Sequence, residues 1–98
     1  MYKVYVLYSE SGGKTYVGFS NDVERRLFEH NISESSGFTL RYRPWTLVHT
    51  EAYESKKEAM DREKFYKCGQ GREQVKKIVA SYLKEKTSVQ YPPVTEKD

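Results

Sequence analysis

The chain of 98 residues has little of what several protein classes require. Its one cysteine, Cys68, excludes a disulfide framework or a cysteine-based zinc site within the chain. Its two histidines lie too far apart in sequence to suggest a metal pair. No apolar run approaches the roughly 18 residues of a membrane span, and the first residues are too polar for a signal peptide. We therefore expect a protein of the reducing cytoplasm with no membrane partner.

Charge of the two signs is nearly balanced, at 17 Lys and Arg against 14 Asp and Glu. The net charge of +3 does not by itself indicate nucleic-acid binding. Arg72, Lys76 and Lys77 belong to the most basic stretch, which is either a solvated helix surface or a set of contacts to backbone phosphates. Nine tyrosines, four phenylalanines and one tryptophan indicate a folded domain and argue against disorder.

The residue pattern predicts an α+β domain. Two alternating runs rich in β-branched and aromatic residues flank a turn at residues 9–13, which predicts a β-hairpin. The predicted strands cover residues 2–8, 14–19 and 45–53, and the predicted helices cover residues 22–31, 56–67 and 72–84. This β-β-α-β-α-α order implies a three-stranded sheet flanked by helices, with the place of the third strand left open.

Polarity and turn residues set the predicted boundaries. We predict one domain over residues 1–84 and a flexible tail over residues 85–98. Residues 32–44 are polar and are predicted to form a loop. Asn21 is the predicted N-cap of the first helix, and Ser55 is predicted to open the second helix with a capping box.

Two helices place polar side chains beside their apolar stripes. At 100° per residue, Arg26 and His30 border the stripe of the first helix, whereas Glu29 falls on the solvent side. Glu63 lies in the most apolar sector of the second helix. An ionised group against a core costs several kcal/mol unless it is paired or lies in a solvated cleft.

Two interpretations of these positions stay open. In the structural one, the charges form an internal ion pair, for example Glu63 with Arg26. In the functional one, an arginine, a histidine and a carboxylate converge with hairpin tyrosines in a cleft over the sheet. That set suits phosphate chemistry, because arginine binds phosphate oxygens, a lone carboxylate holds hydrated Mg²⁺, and tyrosine or histidine transfers protons.

The chain resembles the GIY-YIG nuclease domain over about residues 2–80. "KVY" at 3–5 stands at the first motif, "YVG" at 16–18 matches the second, and "AMDRE" at 59–63 resembles the segment that ends in the family's metal-binding glutamate. The positions that match in order and spacing are Tyr5, Tyr16, Gly18, Arg26, His30 and Glu63. The chain is similar to the small stand-alone branch and to the N-terminal nuclease domain of the bacterial excision-repair endonuclease, an excinuclease.

Two positions depart from the family's motifs. Lys3 replaces the glycine of the first motif. Phe19 stands where the excision-repair branch carries a lysine, so the role of that lysine is missing here or shared by another residue. No segment of the sequence resembles the appended DNA-binding modules that give larger family members their target specificity.

The resemblance implies a three-stranded antiparallel sheet and a metal-dependent endonuclease that hydrolyses DNA phosphodiester bonds, in repair or in processing of branched DNA. It implies that Glu63 holds one divalent metal ion, Mg²⁺ or Mn²⁺, and that Arg26 stabilises the developing negative charge. Tyr5 would take the proton of the attacking water as a phenolate, and His30 would orient Tyr5 or relay its proton. Tyr16 would position water or phosphate.

Gly18 would permit a close approach where the strand meets the helix.

The resemblance leaves other functions open. A catalytically weak or inactive module of the same fold would bind nucleic acid or another protein without turnover. RNA stays open as a substrate beside DNA, and a protein partner would provide target specificity. If Glu63 were only part of an internal ion pair, Glu63→Gln would lose stability.

Overall fold

The computed structural model describes the backbone of residues 1–33 and 38–95, and the side chains of residues 1–32 and 40–85. Its elements in chain order are β1 (Tyr2–Ser9), β2 (Lys14–Ser20), α1 (Val23–Phe28), a π-helical turn (Glu29–Ser33), α2 (Phe38–Arg41), β3 (Thr46–Tyr53), α3 (Lys56–Tyr66) and α4 (Gly69–Thr95). The α+β class is confirmed. None of the described helices is both long and apolar enough to cross a membrane.

The three strands form one antiparallel sheet in the order β2-β1-β3. The predicted hairpin of β1 and β2 is confirmed, and β3 lies on the other side of β1. Tyr5 on β1 pairs with Gly18 on β2 and with Thr50 on β3. Within this sheet β2 is therefore an edge strand, directly beside the strand that carries Tyr5.

Alternation along β1 divides the core between the two faces of the sheet. Val4 and Val6 pack with side chains of α3 and α4 on one face. Tyr5 and Leu7 pack on the other face with Trp45 and with side chains of α1. Both faces of the sheet are therefore covered, and β1 is buried from both sides.

The first helix begins one residue later than predicted. The N-cap is Asp22, whose carboxylate accepts a hydrogen bond from the Arg25 backbone N–H at 3.0 Å. Asn21 is therefore not the cap, although asparagine and aspartate cap helices about equally well. The Ser20 hydroxyl decides between them, because it accepts the Asp22 backbone N–H at 2.9 Å and fixes the chain there. The predicted capping box of α3 is confirmed.

The last helix is longer than the predicted 72–84, because it begins at Gly69 and continues to Thr95. The early start depends on Gly71, where a Cβ would lie 1.8 Å from the carbonyl oxygen of Phe65. Residues 85–91 contain neither glycine nor proline, which favours a continued helix, and the helix includes Pro92 and Pro93 before it ends at Thr95. The flexibility of residues 85–98 and the 1–84 domain boundary stay predictions.

The predicted loop over residues 32–44 is also partly wrong. It contains the end of the π-helical turn and the short helix α2. Residues 34–37 of this predicted loop lie outside the described residues.

A hydrogen-bonded network docks α3 on β3. The Glu51 carboxylate accepts hydrogen bonds from Arg62 Nε at 2.9 Å, from His49 Nε2 at 2.7 Å, from the Tyr53 hydroxyl at 2.7 Å and from the Tyr66 hydroxyl. Burial by itself raises the pKa of Glu51, but these four hydrogen bonds outweigh it and lower the pKa to about 2. The network therefore fixes how α3 is rotated over the sheet.

We predict that Glu51→Gln lowers the free energy of unfolding at neutral pH by about 3 kcal/mol. Because the folded-state pKa is depressed, the stabilisation is full above the ordinary value of 4.5 and is lost as pH falls toward about 2. Urea unfolding followed by circular dichroism across this pH range measures the effect.

Asp61→Asn is the matched control on the same helix. Asp61 pairs with Lys57 at 3.0 Å on the exposed surface, so its loss changes stability by less than about 0.5 kcal/mol. If the native chain and the Glu51→Gln variant lose stability in parallel as pH falls, the Glu51 network does not stabilise the fold.

Candidate active site

Tyr5 crosses the edge strand at Gly18. Its side chain is 1% exposed, and its hydroxyl lies directly over the glycine. A Cβ on Gly18 would lie 2.6 Å from the Tyr5 hydroxyl oxygen and 2.8 Å from Cζ, closer than real side chains approach. Any other residue at position 18 would therefore displace the Tyr5 ring.

The π-helical turn after α1 brings His30 into the core. A π-helix has more residues per turn than an α-helix, so positions after Phe28 depart from the 100° spacing used for the sequence. His30, predicted at the border of the apolar stripe, is 1% exposed. Glu29, predicted to face solvent, has a side chain only 27% exposed. Glu29 keeps α-helical backbone angles, and the prediction for it was wrong because its carboxylate pairs with the Arg25 and Arg26 guanidiniums and does not extend into solvent.

Two residues that the sequence did not single out hold this turn in place. Arg43 donates hydrogen bonds to the backbone carbonyls of Glu29 and His30. The Asn31 side chain donates to the Trp45 carbonyl at 3.0 Å and accepts from the Trp45 N–H at 2.6 Å. These partners lie 13 or 14 residues apart in sequence, so no local pattern could reveal them.

Tyr5, His30 and Arg26 converge at one nitrogen atom. His30 Nε2 lies 3.1 Å from the Tyr5 hydroxyl and 3.4 Å from Arg26 Nη2. Because a guanidinium can only donate, we assign Nε2 as the acceptor, and this assignment places the His30 proton on Nδ1. The Tyr16 ring lies 4.6 Å from the His30 ring and is stacked against Tyr5 at 6.2 Å.

Burial and charge set the protonation state of this cluster. Burial raises the pKa of Tyr5 to about 12, with further increases from Tyr16 and Glu63 and an opposing hydrogen bond from Arg26. Burial alone lowers the pKa of Arg26, but hydrogen bonds to Glu29 and Tyr5 outweigh it and raise the pKa. The hydrogen bond from Arg26 lowers the pKa of Glu29. Tyr5 is therefore a neutral phenol beside a permanently charged guanidinium.

Glu63 extends from α3 and pairs with Lys67 Nζ at 3.1 Å. Its side chain is only 20% exposed, as its place in the apolar sector suggested. Arg26 instead pairs with Glu29. The internal Glu63–Arg26 ion pair considered from the sequence is therefore wrong. The role of Lys67 was not predicted, because an i,i+4 pair is typical of an ordinary surface contact.

Glu63 fits a hard divalent cation as a lone carboxylate ligand. The described residues contain no group of three or more histidine, cysteine or acidic side chains that could form a complete metal cage. Mg²⁺ needs only one or two protein carboxylates where phosphate oxygens and water complete its shell. Glu63 already binds a cation, the Lys67 ammonium, and its charge acts on the Tyr5 hydroxyl.

The three basic residues suggested by the sequence separate into two places. Arg72 and Lys76 line a hollow of about 560 Å³ that Tyr16 also lines. Lys77 lines a different hollow together with His49. The structure thus brings Tyr5, Tyr16, Arg26 and His30 together beside Gly18. It places Arg72 and Lys76 in the hollow that Tyr16 lines, and Lys77 lies apart from them.

The protein is a small α+β domain whose antiparallel sheet carries a tyrosine–histidine–arginine cluster on one face. An adjacent helix carries a lone glutamate. These groups suit phosphate chemistry. Residues 1–78 match the family model described as the GIY-YIG catalytic domain. The chain belongs to the GIY-YIG family, so its fold is that of an endonuclease-type domain.

Small UPF0213 proteins are among its relatives. The chain is 46% identical over 63 residues to one from Halobacterium salinarum, covering 64% of this chain and 80% of that protein. It is 36% identical over 86 residues to one from Streptococcus pyogenes, covering 86% of this chain and 92% of that protein. A solution NMR structure of a UPF0213 protein from Bacillus halodurans is 31% identical, covers 80% of this chain and 85% of that one, and has a TM-score of 0.47. The predicted family, with small stand-alone relatives, is confirmed.

We predict that Gly18→Ala lowers the free energy of unfolding by about 2 kcal/mol, because the new Cβ overlaps the Tyr5 phenol. Tyr5→Phe in the same background recovers part of this loss, because it removes the oxygen nearest to the Cβ. A double-mutant cycle measured by urea unfolding gives the coupling between the two positions.

Gly69→Ala is the control, since a Cβ there meets no atom within 4 Å. It leaves stability within about 0.5 kcal/mol of the native chain. Additive effects of Gly18→Ala and Tyr5→Phe would contradict the close contact between these residues.

Proposed function

We propose that the protein is a metal-dependent endonuclease that hydrolyses DNA phosphodiester bonds, and that Tyr5, Tyr16, Arg26, His30 and Glu63 are its catalytic residues. The observation that carries the proposal is the convergence of the Tyr5 hydroxyl and the Arg26 guanidinium on His30 Nε2, at 3.1 and 3.4 Å. Membership of the GIY-YIG family supports the same reaction class.

Arg26 binds the scissile phosphate and stabilises the negative charge that develops on it. Its pKa is raised, so the guanidinium keeps its charge at any pH where the protein is folded. The ion pair with Glu29 holds the side chain at the site before substrate arrives. This fixed placement reduces the reorganisation needed in the transition state.

Glu63 holds the divalent cation, Mg²⁺ or Mn²⁺. When bound there, the cation would supply positive charge that stabilises the phosphate and activates the attacking water. Lys67, which pairs with the same carboxylate, keeps the charge of Glu63 balanced in the cation's absence.

Tyr5 and His30 act together on the proton of the attacking water. With its pKa raised to about 12, Tyr5 is not a phenolate at rest. Its hydroxyl instead gives its proton to His30 Nε2, 3.1 Å away, as its oxygen accepts the proton of the water. The O–H bond of water breaks, a new O–H bond forms on Tyr5, and His30 ends as imidazolium. Tyr16, packed against His30, positions the water or a phosphate oxygen.

We extend this proposal to nicked or branched DNA in the cytoplasm, on the similarity to the excision-repair nuclease domain. A protein partner would supply target choice. DNA repair is the proposed setting, and RNA of the same shape is the alternative substrate.

Purified protein with Mg²⁺ or Mn²⁺ should cleave at least one of nicked, flapped and branched DNA. We predict that Glu63→Gln and Arg26→Ala each reduce the cleavage rate about 100-fold or more. Asp61→Asn, an exposed acidic residue on the helix that carries Glu63, keeps the native rate. Equal cleavage by the native chain and by Glu63→Gln would sink the proposal and indicate a contaminating nuclease.

The proton relay makes a separate prediction. Tyr5→Phe and His30→Gln each reduce the cleavage rate about 100-fold or more, and the double variant is no slower than the worse single variant. Tyr8→Phe, which removes a hydroxyl from the other face of the same strand, is the control. Single-turnover rates at equal folded fraction measure all four variants, and multiplicative losses would show that Tyr5 and His30 do not act as a unit.

The second candidate function is a nucleic-acid-binding or protein-interaction module without useful turnover. The pairing of Glu63 with Lys67 favours it, because the ammonium competes with a divalent cation for the only carboxylate proposed as a ligand. Salt-dependent DNA binding with no cleavage of any tested substrate supports this function over the first.

A further inference from the structure

A cationic groove runs along the edge of the sheet beside the catalytic cluster. It has a volume of about 560 Å³ and lies between the hairpin end of β2 and the junction of α3 and α4. Four of the side chains that line it are basic: Lys14, Lys67, Arg72 and Lys76. None of its lining residues is acidic.

The positive charge of the groove is only weakly neutralised. Lys76 pairs with Glu73 at 3.6 Å, but both side chains are more than two-thirds exposed, and such pairs contribute little. Within the described part of the chain, no carboxylate lies within 4.0 Å of Lys14 or Arg72. Lys67 is the only groove cation held by a largely buried carboxylate, that of Glu63.

The groove is continuous with the catalytic cluster through two residues. Tyr16 lines the groove, and its ring lies 4.6 Å from the His30 ring. Lys67 lines the groove and binds Glu63. A chain of phosphates with one member at Arg26 therefore has a positively charged path to follow around the edge strand.

We infer that this groove binds the backbone phosphates of the cleaved strand, next to the scissile phosphate. The inference rests on the proposed function for the identity of the strand. A row of cations with no acidic residue among them suits a phosphodiester backbone, whose charges repeat at regular spacing. Tyr16, which is partly exposed, adds aromatic surface on which a base or sugar can rest.

The test compares Arg72 and Lys76, which line the groove, with Lys77, which follows Lys76 and lines the other hollow. Fluorescence anisotropy measures the Kd of a short labelled oligonucleotide in EDTA, where no cleavage occurs, between about 50 and 200 mM salt. The combined variant Arg72→Ala, Lys76→Ala raises the Kd about 20-fold and reduces the salt slope by about 2, one for each phosphate that the variant no longer binds. Lys77→Ala, on the neighbouring residue that lines the other hollow, changes the Kd less than about twofold.

The variants keep the helix intact, because both replaced side chains are exposed on α4 and alanine is the strongest helix former. Lys67 is left unchanged because it also binds Glu63. DNA and RNA oligonucleotides of one sequence form the two arms. Equal losses in both arms assign the binding to the shared backbone, and a loss confined to one arm assigns the groove to that nucleic acid.

Failure of this inference is distinguishable from failure of the proposed function. An unchanged Kd for the double variant, or an equal loss of affinity in Lys77→Ala, overturns the inferred binding of phosphates in the groove, even if the native chain cleaves DNA. If the native chain binds DNA through Arg72 and Lys76 but cleaves no substrate, the proposed endonuclease function is overturned and the inferred phosphate binding in the groove is supported.

Discussion

The passage of the Tyr5 phenol over Gly18 is the constraint on which the site depends. Tyr5 starts on the central strand, so its hydroxyl reaches the edge of the sheet only if the residue opposite has no side chain. Once it does, the hydroxyl meets His30 Nε2 from the turn after α1. The strand order β2-β1-β3 completes the arrangement, because the strand that Tyr5 crosses has no neighbour on its outer side in the described sheet. Arg26, whose guanidinium lies 3.4 Å from the same nitrogen atom, has a side chain that is 28% exposed, so the buried Tyr5 hydroxyl lies beside a group that solvent reaches.

Glu51 on β3 and Glu63 on α3 differ in their hydrogen-bond and ion-pair partners, and this difference separates a structural carboxylate from a candidate metal ligand. Glu51 is satisfied by four hydrogen bonds from the protein and its pKa is lowered to about 2, so it serves the fold. Among the described residues Glu63 has one ion pair, with the Lys67 ammonium, which a divalent cation would have to replace. The two are coupled, since Arg62, which binds Glu51, precedes Glu63 on α3. The network on β3 thereby sets the direction in which Glu63 points.

Sequence periodicity was sufficient for the hairpin, the third strand, the capping box of α3 and the apolar placement of Glu63, because each depends on neighbours within one turn or one strand. The spacing of the family's motifs singled out Tyr5 and Tyr16 as site residues. No local sequence pattern shows that these two tyrosines meet across the sheet. The motif spacing could not provide Arg43, whose partners are the backbone carbonyls of Glu29 and His30. Periodicity misplaced Glu29, because it gives only a direction around the helix and not the two arginines with which Glu29 pairs. Long-range contacts and irregular helix turns were what the sequence left undetermined.

The burial that positions Tyr5 also weakens it as an acid, and the cluster resolves this conflict. A phenol with a pKa near 12 keeps its proton at neutral pH, so a resting phenolate is excluded in the metal-free chain. His30 is neutral with Nε2 as an acceptor because Arg26 can only donate to it, which leaves a proton acceptor within reach of the Tyr5 hydroxyl. In the proposed mechanism Arg26 would thus have two effects: it would offer positive charge for phosphate, and it would keep the imidazole in the tautomer that the proton relay requires.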